Sequence, residues 1–231
     1  ELAELWGMSE TCGMGAVNPP GKVKIGTVGP PAPGVEMKLA EDGEVLMRSE
    51  CVMVGYRNMP EQTAEAIDDG GWLHTGDIGE FDEDGYLKIV DRKKEIIINA
   101  AGKNMSPAHI ESCLKGAGPL IGQAAVIGDR RSYNTALLVL DTDGAPAWAK
   151  EHGVEGDALE ELAARDDVRE AVQAEVDAAN KRMARVEQIK KFHLVSGDWL
   201  PGGDELTPTM KLKRKPIAEK YSDDIEAMYS G

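Results

Sequence analysis

The sequence predicts an α+β protein of two units, the first rich in strands and the second of mixed strands and helices. Short apolar runs separated by Gly, Pro and Asp-Gly pairs fill residues 1–91, a spacing typical of antiparallel strands joined by turns. Beyond them, apolar strands alternate with helical patterns, of which the longest lies in residues 158–190. At 231 residues the chain has room for one large domain or two small ones. We place the boundary between residues 1–91 and 92–231.

In the first unit, strands and turns alternate closely along the chain. The predicted strands are Val35–Leu39, Glu44–Met47 and Tyr86–Val90. Hairpin turns are predicted at Glu41–Gly43 and Asp82–Gly85, because Asp and Gly favour the turn conformations that join antiparallel strands. Gly29–Gly34 contains three prolines and predicts a stiff, non-helical connector. One helix is predicted over Pro60–Ile67, with Pro60 in its first turn.

In the second unit, Ile96–Ile98 is a β-branched run that predicts a buried strand. Ser106 followed by Pro107 predicts the N-cap and the first residue of a helix. Two further short apolar strands are predicted at Ala124–Ile127 and Ala136–Leu140.

The longest helix is predicted from an apolar stripe at helical spacing. The stripe consists of Val168, Val172, Val176, Ala179, Met183 and Val186. Asp167, with Glu170 three residues later, resembles a capping box and predicts the start of this helix. We expect the stripe to be core rather than a ligand contact.

Composition excludes several classes of function. The chain has 26 Lys+Arg and 41 Asp+Glu, a net charge of −15, which would repel nucleic acid. No run approaches the ~18 apolar residues needed to span a bilayer. The three cysteines are widely spaced without a Cys-x-x-Cys pair, which argues against a disulfide framework or a zinc site and indicates a reducing, cytoplasmic location. Peripheral membrane contact and the oligomeric state stay open.

Two short segments near the strands of the first unit carry groups suited to a nucleotide. Trp6–Thr11 joins an aromatic ring, a glycine, a hydroxyl and a carboxylate, which could stack on a base, contact a phosphate and hold a hard cation. Gly71–Asp77 places Asp77 after a Thr-Gly turn, where a carboxylate can accept two hydrogen bonds from a ribose diol. The alternatives are an ordinary aromatic turn and an Asp that binds its own backbone. We expect His74 to be structural.

Two basic segments interrupt the acidic chain. Asp91–Glu95 has three consecutive cations at the boundary between the units, where a charged pivot could face a ligand. Leu206–Lys215 carries four cations in its last five positions, and lysine is suited to neutralising a phosphate or a developing oxyanion. Either run could instead be the solvated end of a strand or helix.

The order and spacing of these four segments resemble the C-terminal portion of an adenylate-forming enzyme, the superfamily of acyl-CoA synthetases, luciferases and peptide-synthetase adenylation domains. Trp6–Thr11 is similar to its Tyr-Gly-x-Thr-Glu motif, and Gly71–Asp77 to its Gly-Trp-x-x-Thr-Gly-Asp motif. Asp91–Pro107 is similar to its hinge and following loop, and Leu206–Tyr221 to its terminal lysine motif. Within the superfamily, the sequence Leu-Thr-Pro-Thr-Met-Lys-Leu-Lys-Arg in this last segment resembles that of long-chain fatty-acid–CoA ligases. The fold implied is a β-barrel-like end of the large domain followed by a small, mobile α+β domain.

For the first motif, the resemblance implies that Trp6 stacks on adenine beside Gly7, that Ser9 contacts the adenylate phosphate and that Glu10 binds Mg²⁺. Trp6 stands where tyrosine is usual, so the stacking surface is kept and a hydroxyl is lost.

For the other motifs, the resemblance implies that Asp77 holds the ribose hydroxyls with help from Arg92. Lys94 falls at the hinge about which the small domain rotates, and Lys211 at the lysine that bridges ATP and the carboxylate. Gly102 falls at the loop glycine that lines the pantetheine tunnel.

Two departures qualify these assignments. Ile98 occupies a position that is lysine in luciferase-like members, so no second lysine for thioester formation is expected. The Ser/Thr/Gly-rich phosphate loop of the family is nowhere in the sequence. Because the chain also starts at Glu1 without an initiator methionine, we expect a piece of a longer protein, with that loop upstream. We expect the piece alone to fold but not to catalyse, because the loop is missing.

The resemblance therefore implies an ATP- and Mg²⁺-dependent ligase that converts a fatty acid into acyl-AMP and then transfers the acyl group to coenzyme A. Its partners would be the small molecules ATP, fatty acid and CoA. Two alternatives stay open: an enzyme that loads a carrier protein instead of CoA, and a non-catalytic binding module that kept the fold.

Overall fold

The computed structural model describes residues 2–230, which divide into two compact units between Glu95 and Ile96. The mixed strand and helix content confirms the predicted α+β class. The division falls after Glu95, a few residues beyond the boundary expected from the change in sequence pattern.

The first unit is built around an antiparallel sheet of four strands in the order β3-β4-β5-β6. Its secondary structure comprises β1 (Leu5–Trp6), β2 (Ala16–Val17), β3 (Glu36–Leu39), β4 (Glu44–Arg48), α1 (Pro60–Ala66), β5 (Leu73–Phe81) and β6 (Leu87–Arg92). Short β1 and β2 pair with each other, and a 3₁₀ turn at Ser9–Thr11 lies between them. Among the described residues the four-stranded sheet is open, with β3 and β6 at its edges, and does not close into a barrel.

Most local predictions for this unit are confirmed. The predicted strands and the helix start within about a residue of their observed positions, and Gly43 and Gly85 both take positive φ in the hairpin turns. The segment around Asp77 is different, because sequence predicted a turn there and the structure places it inside β5. His74 and Ile78 pair with β4, and Asp77 pairs with Arg92 of β6, so the segment is part of the sheet although its pairing with β4 is irregular.

The second unit has a three-stranded sheet in the order β11-β10-β9, in which β10 runs antiparallel to β9 and parallel to β11. Its strands are β7 (Ile97–Ile98), β8 (Asn104–Met105), β9 (Ile121–Ile127), β10 (Asn134–Leu140) and β11 (Ile189–Leu194). Its helices are α2 (Pro107–Lys115), α3 (Gly144–Glu151), α4 (Leu159–Ala163), α5 (Asp166–Asn180), α6 (Arg214–Lys220) and α7 (Ser222–Tyr229).

Every residue of β10 is buried, since helices cover both faces of the sheet. Ala136 and Leu138 pack in a core with residues of α2 and α5, whereas Leu137 and Val139 pack with residues of α6 and α7. The central strand between two helical layers thus gives the unit an apolar core on each face of the sheet.

Three predictions for this unit need correction. Ile96–Ile98 is a two-residue strand in which Ile97 is buried but Ile98 is 48% exposed, because the short β7-β8 pair lies at the surface. The long helix ends at Asn180, so Met183 is buried outside it and Val186 is 46% exposed.

The predicted capping box is also wrong. Helix α5 begins at Asp166, so Asp167 lies inside its first turn. The Asp167 carboxylate accepts hydrogen bonds from Arg165 and from the Val168 amide instead of capping the helix. The N-cap at Ser106 is confirmed, since its hydroxyl accepts from the His109 amide at 3.0 Å.

Candidate functional site

The first unit brings the aromatic ring of the first motif into contact with the acidic residue of the second. Trp6, at the end of β1, donates its indole Nε1–H to Asp77 Oδ2 at 2.9 Å. Asp77 is 5% exposed, whereas the Trp6 side chain is half-buried. The two residues predicted to contact adenine and ribose are therefore adjacent.

Arg92 completes this cluster from the neighbouring strand. Asp77 and Arg92 are register partners of β5 and β6, and the Arg92 Nε lies 2.8 Å from Asp77 Oδ1. Within residues 2–230, each carboxylate oxygen thus has one donor, Arg92 at Oδ1 and Trp6 at Oδ2. Because a carboxylate oxygen has two lone pairs, each can accept one further hydrogen bond, which is what a vicinal diol requires.

A buried glutamate supports the strand on which Asp77 lies. Glu44 of β4 is 4% exposed, and its carboxylate accepts from the Gly76 amide at 2.9 Å and from Lys93 Nζ at 2.8 Å. His74 Nδ1 lies 3.1 Å from the same carboxylate, so the expectation of a structural His74 agrees with its contact. Burial raises the pKa of Glu44, but the hydrogen bonds from Lys93, His74 and Gly76 together outweigh it, and the net pKa is lowered.

The loop after Trp6 is fixed by its backbone. A Cβ at Gly7 would lie 2.2 Å from the Gly13 carbonyl oxygen, so only glycine fits there. The buried Thr11 hydroxyl donates to the Met8 carbonyl and accepts from the Met8 amide, which closes the turn. Ser9 at the centre of this turn is exposed.

Glu10 in the same turn is held by a tyrosine from a distant part of the unit. The Tyr56 hydroxyl donates to Glu10 Oε1 at 2.9 Å, and this contact together with burial raises the pKa of Tyr56. Among the described residues no group of three or more His, Cys, Asp or Glu side chains is arranged to hold a metal. Mg²⁺ is commonly bound through one or two carboxylates together with the phosphates of a substrate. The half-exposed carboxylate of Glu10 fits a site of this kind.

The predicted hinge and tunnel residues lie on either side of the division between the units. Lys94 is exposed in a turn closed by a hydrogen bond from the Glu95 amide to the Arg92 carbonyl. Gly102 lies between β7 and β8 with φ +74, and a Cβ there would meet no atom within 4 Å. Backbone conformation, rather than space, is what favours glycine at this position.

Lys211 lies at the end of a tight turn in the second unit. The Thr207 amide donates to the Lys211 carbonyl, and the Lys211 amide donates to the Thr207 hydroxyl at 3.0 Å. Met210 within the turn has φ +65. In the part of the chain that the structure describes, no acceptor contacts the ammonium group of Lys211, which is exposed to solvent. The turn therefore presents a lysine on a fixed backbone.

A partly buried ion pair anchors the chain directly after this turn. Arg214 donates to both carboxylate oxygens of Glu111 at 2.7 and 2.9 Å, and Glu111 also accepts from the Val126 amide. Glu111 is 5% exposed. Because helix α6 begins at Arg214, the pair fixes the position at which the chain passes from the Lys211 turn into the helix.

Sequence reasoning missed Glu44, Tyr56 and Glu111. For two of them the sequence contained a weak signal, since Glu44 is the charged first residue of an apolar strand and Glu111 lies between apolar residues of α2. A charge within an apolar pattern usually needs a buried partner. Which partner it finds depends on residues far away in the chain, and no local pattern gives that.

Comparisons with known proteins agree with these motifs. The family model described as the AMP-binding enzyme C-terminal domain matches residues 94–231. Over 229 residues the chain is 52% identical to a Mycobacterium tuberculosis protein that carries the name fatty-acid–CoA ligase fadD11, covering 99% of this chain and 40% of that protein. It is 43% identical over 230 residues to the long-chain-fatty-acid–CoA ligase FadD15 of Mycobacterium bovis, covering 99% of this chain and 38% of that protein.

A solved structure shares the fold across both units. The O-succinylbenzoate coenzyme A synthetase of Bacillus subtilis, in complex with AMP, matches with a TM-score of 0.67 and 26% identity, covering 92% of this chain and 40% of that one. The chain thus spans about 40% of the length of the curated relatives it matches. No helix among residues 2–230 has the length and apolar character needed to cross a membrane.

Proposed function

This chain belongs to the AMP-binding enzymes, and from that membership we propose that it forms the C-terminal part of an ATP-dependent long-chain fatty-acid–CoA ligase. The ligase would join a fatty acid to AMP, with release of pyrophosphate, and then transfer the acyl group to the thiol of CoA. Supporting this proposal are the names of the relatives and the contact of Trp6 and Arg92 with Asp77.

We assign the nucleotide contacts to the first unit. Asp77 would accept hydrogen bonds from the two ribose hydroxyls, because each of its oxygens keeps an unused lone pair. The half-buried ring of Trp6 would stack on adenine and the exposed Ser9 hydroxyl would donate to the phosphate. Glu10, oriented by Tyr56, would hold Mg²⁺, which neutralises phosphate charge when it is bound.

We assign the acyl-transfer steps to the basic turn and the segment between the units. Carboxylate and triphosphate repel each other, so attack on the α-phosphate needs a cation between them, and the exposed ammonium of Lys211 supplies one. Thiol attack needs that lysine removed and a channel for pantetheine in its place. Rotation about Lys94 would exchange Lys211 for the loop of Gly102.

The test is an assay of the full-length protein with palmitate, ATP, Mg²⁺ and CoA. We expect AMP, pyrophosphate and palmitoyl-CoA in equal amounts, and an Asp77→Ala variant should lose nucleotide binding. A holo carrier protein offered in place of CoA separates the two acceptors. Absence of AMP binding and of acyl-CoA formation in the wild type would overturn the proposal. The 231 residues alone should form no acyl-CoA, since they contain no phosphate loop motif.

A further inference from the structure

Strand β5 contains a bulge at the residue that carries the proposed ribose contact. Leu46 of β4 pairs with His74, and Glu44 pairs with Ile78, so the three residues between His74 and Ile78 lie opposite the single residue Val45. Gly76 at the centre of the bulge has φ +70, where a side chain would be strained. Because bulges change the direction of neighbouring side chains, this one decides where Asp77 points.

The bulge removes backbone groups from the regular ladder, and three contacts replace the lost pairing. The Gly76 amide donates to Glu44 Oε1 at 2.9 Å, and the Gly76 carbonyl accepts from the Lys93 amide at 2.8 Å. The Asp77 amide donates to the Thr75 hydroxyl at 3.2 Å. Among the residues described, the Glu44 contact is the only one of the three that comes from a side chain of a neighbouring strand.

Glu44 also reaches the strand that carries Arg92. Its second oxygen, Oε2, accepts from Lys93 Nζ at 2.8 Å, and Lys93 follows Arg92 directly. One carboxylate therefore joins the residue before Asp77 to the residue after Arg92. Asp77 and Arg92 themselves form the 2.8 Å ion pair between β5 and β6.

We propose that Glu44 is a positioning residue for nucleotide binding, which holds the β5 bulge and so directs Asp77 and Arg92 toward the ribose. The inference rests on the proposed function, because it takes Asp77 as the ribose contact. Glu44 itself would touch no substrate. Its effect should therefore appear in recognition of the ribose hydroxyls and not in the chemistry of acyl transfer.

The experiment measures dissociation constants of AMP and 2′-deoxy-AMP by calorimetry on the full-length protein. Glu44→Ala removes the contacts with Gly76, Lys93 and His74. Glu44→Gln keeps an acceptor for the Gly76 amide but turns an NH₂ group toward Lys93. Glu36→Gln is the matched control, because Glu36 is an exposed carboxylate of the same sheet that binds Arg48 and does not contact the bulge. Melting temperatures of all variants are measured alongside.

We expect Glu44→Ala to weaken AMP binding about tenfold, the effect of one charge-assisted hydrogen bond. Binding of 2′-deoxy-AMP should change less, so the preference for AMP falls. The AMP dissociation constant of Glu44→Gln should lie between those of Glu44→Ala and the wild type. If the alanine variant does not fold, the glutamine variant provides the test. Glu36→Gln should match the wild type.

A lower melting temperature with an unchanged preference for AMP would show that Glu44 only stabilises the sheet, and would overturn the inference. Wild-type protein that binds AMP, with Glu44 variants that bind it equally well, would overturn the inference alone. Wild-type protein that binds no AMP would instead overturn the proposed function.

Discussion

The indole N–H of Trp6 donates a hydrogen bond to Asp77 Oδ2 at 2.9 Å, although 71 positions separate the two residues in sequence. The resemblance to adenylate-forming enzymes assigns Trp6 to adenine and Asp77 to ribose as separate contacts. In this chain the aromatic ring also restrains the carboxylate. The indole thus gives the carboxylate of Asp77, the proposed ribose contact, a donor of fixed position.

Trp6→Phe should therefore weaken nucleotide binding while keeping an aromatic surface. Loss of one hydrogen bond to a charged acceptor should raise the AMP dissociation constant of the full-length protein by about tenfold. Calorimetric titration measures the change. Trp148→Phe is the control, because Trp148 stacks on His152 in the second unit and lies in none of the four motifs. Equal effects of both variants would count against a specific role of the Trp6 bond.

Tyr56→Phe should raise the Mg²⁺ concentration needed for half-maximal acyl-AMP formation. The Tyr56 hydroxyl orients Glu10, and groups that orient a metal ligand typically change affinity or activity by about 10-fold or more. Varying Mg²⁺ at saturating ATP gives the measurement. Tyr86→Phe serves for comparison, since the Tyr86 hydroxyl donates to the Lys22 carbonyl instead. An unchanged Mg²⁺ requirement in Tyr56→Phe would contradict the assignment of Glu10.

Lys211→Ala in the full-length protein should separate the two half-reactions. Adenylation should fall by about 100-fold or more, because a cation that stabilises developing charge is lost. Thioester formation from supplied acyl-AMP should be largely spared. Lys215→Ala is the matched control from the same basic segment, as Lys215 is 86% exposed in its side chain and pairs only with Glu219 at 3.9 Å among the residues described. Equal loss in both half-reactions would reject the proposed role of Lys211.

Arg214→Met should destabilise the second unit, because it leaves the Glu111 carboxylate buried without its ion partner. Leaving a buried carboxylate unpaired in this way costs about 3 kcal/mol. Arg165→Met, which breaks the exposed pair with Asp167, should cost less than about 1 kcal/mol. Urea denaturation of the two variants measures both free energies of unfolding. Similar values would mean that the Arg214 pair is not effectively buried.

Glu175→Gln should stabilise the second unit at neutral pH. Burial raises the pKa of Glu175, and the hydrogen bonds from the Leu120 and Ile121 amides lower it by less. A carboxyl whose folded pKa is raised favours folding below its unfolded pKa and loses that contribution as pH rises through the folded pKa.

The glutamine, which stays neutral, should therefore raise the melting temperature by a few degrees at pH 7 and by little at about pH 4, near the unfolded pKa of glutamate. Thermal unfolding at both pH values gives the comparison. A larger gain at the acid pH would show that the sign of the pKa shift is wrong.

Sequence patterns predicted the local structure of this chain well, for a physical reason. The hairpin turns depend on Asp and Gly at fixed positions, and the α2 start depends on Ser106 and Pro107, so each is specified within a few residues. Where tertiary pairing competes with local preference, the prediction was wrong. Asp77 lies in a strand because β4 and β6 flank it, and α5 ends at Asn180 although the apolar stripe continues.

The sequence by itself determined the family, the α+β class and the order of the four motifs, because each motif is a short run of side chains. Only the tertiary structure decided how those side chains are supported. The Trp6–Asp77 bond, the Glu44 contacts of the bulge and the Glu111–Arg214 pair join residues that lie 71, 32 and 103 positions apart, respectively. Such partners are chosen by strand register and core packing, which act over the whole unit, and no local pattern of residues encodes them.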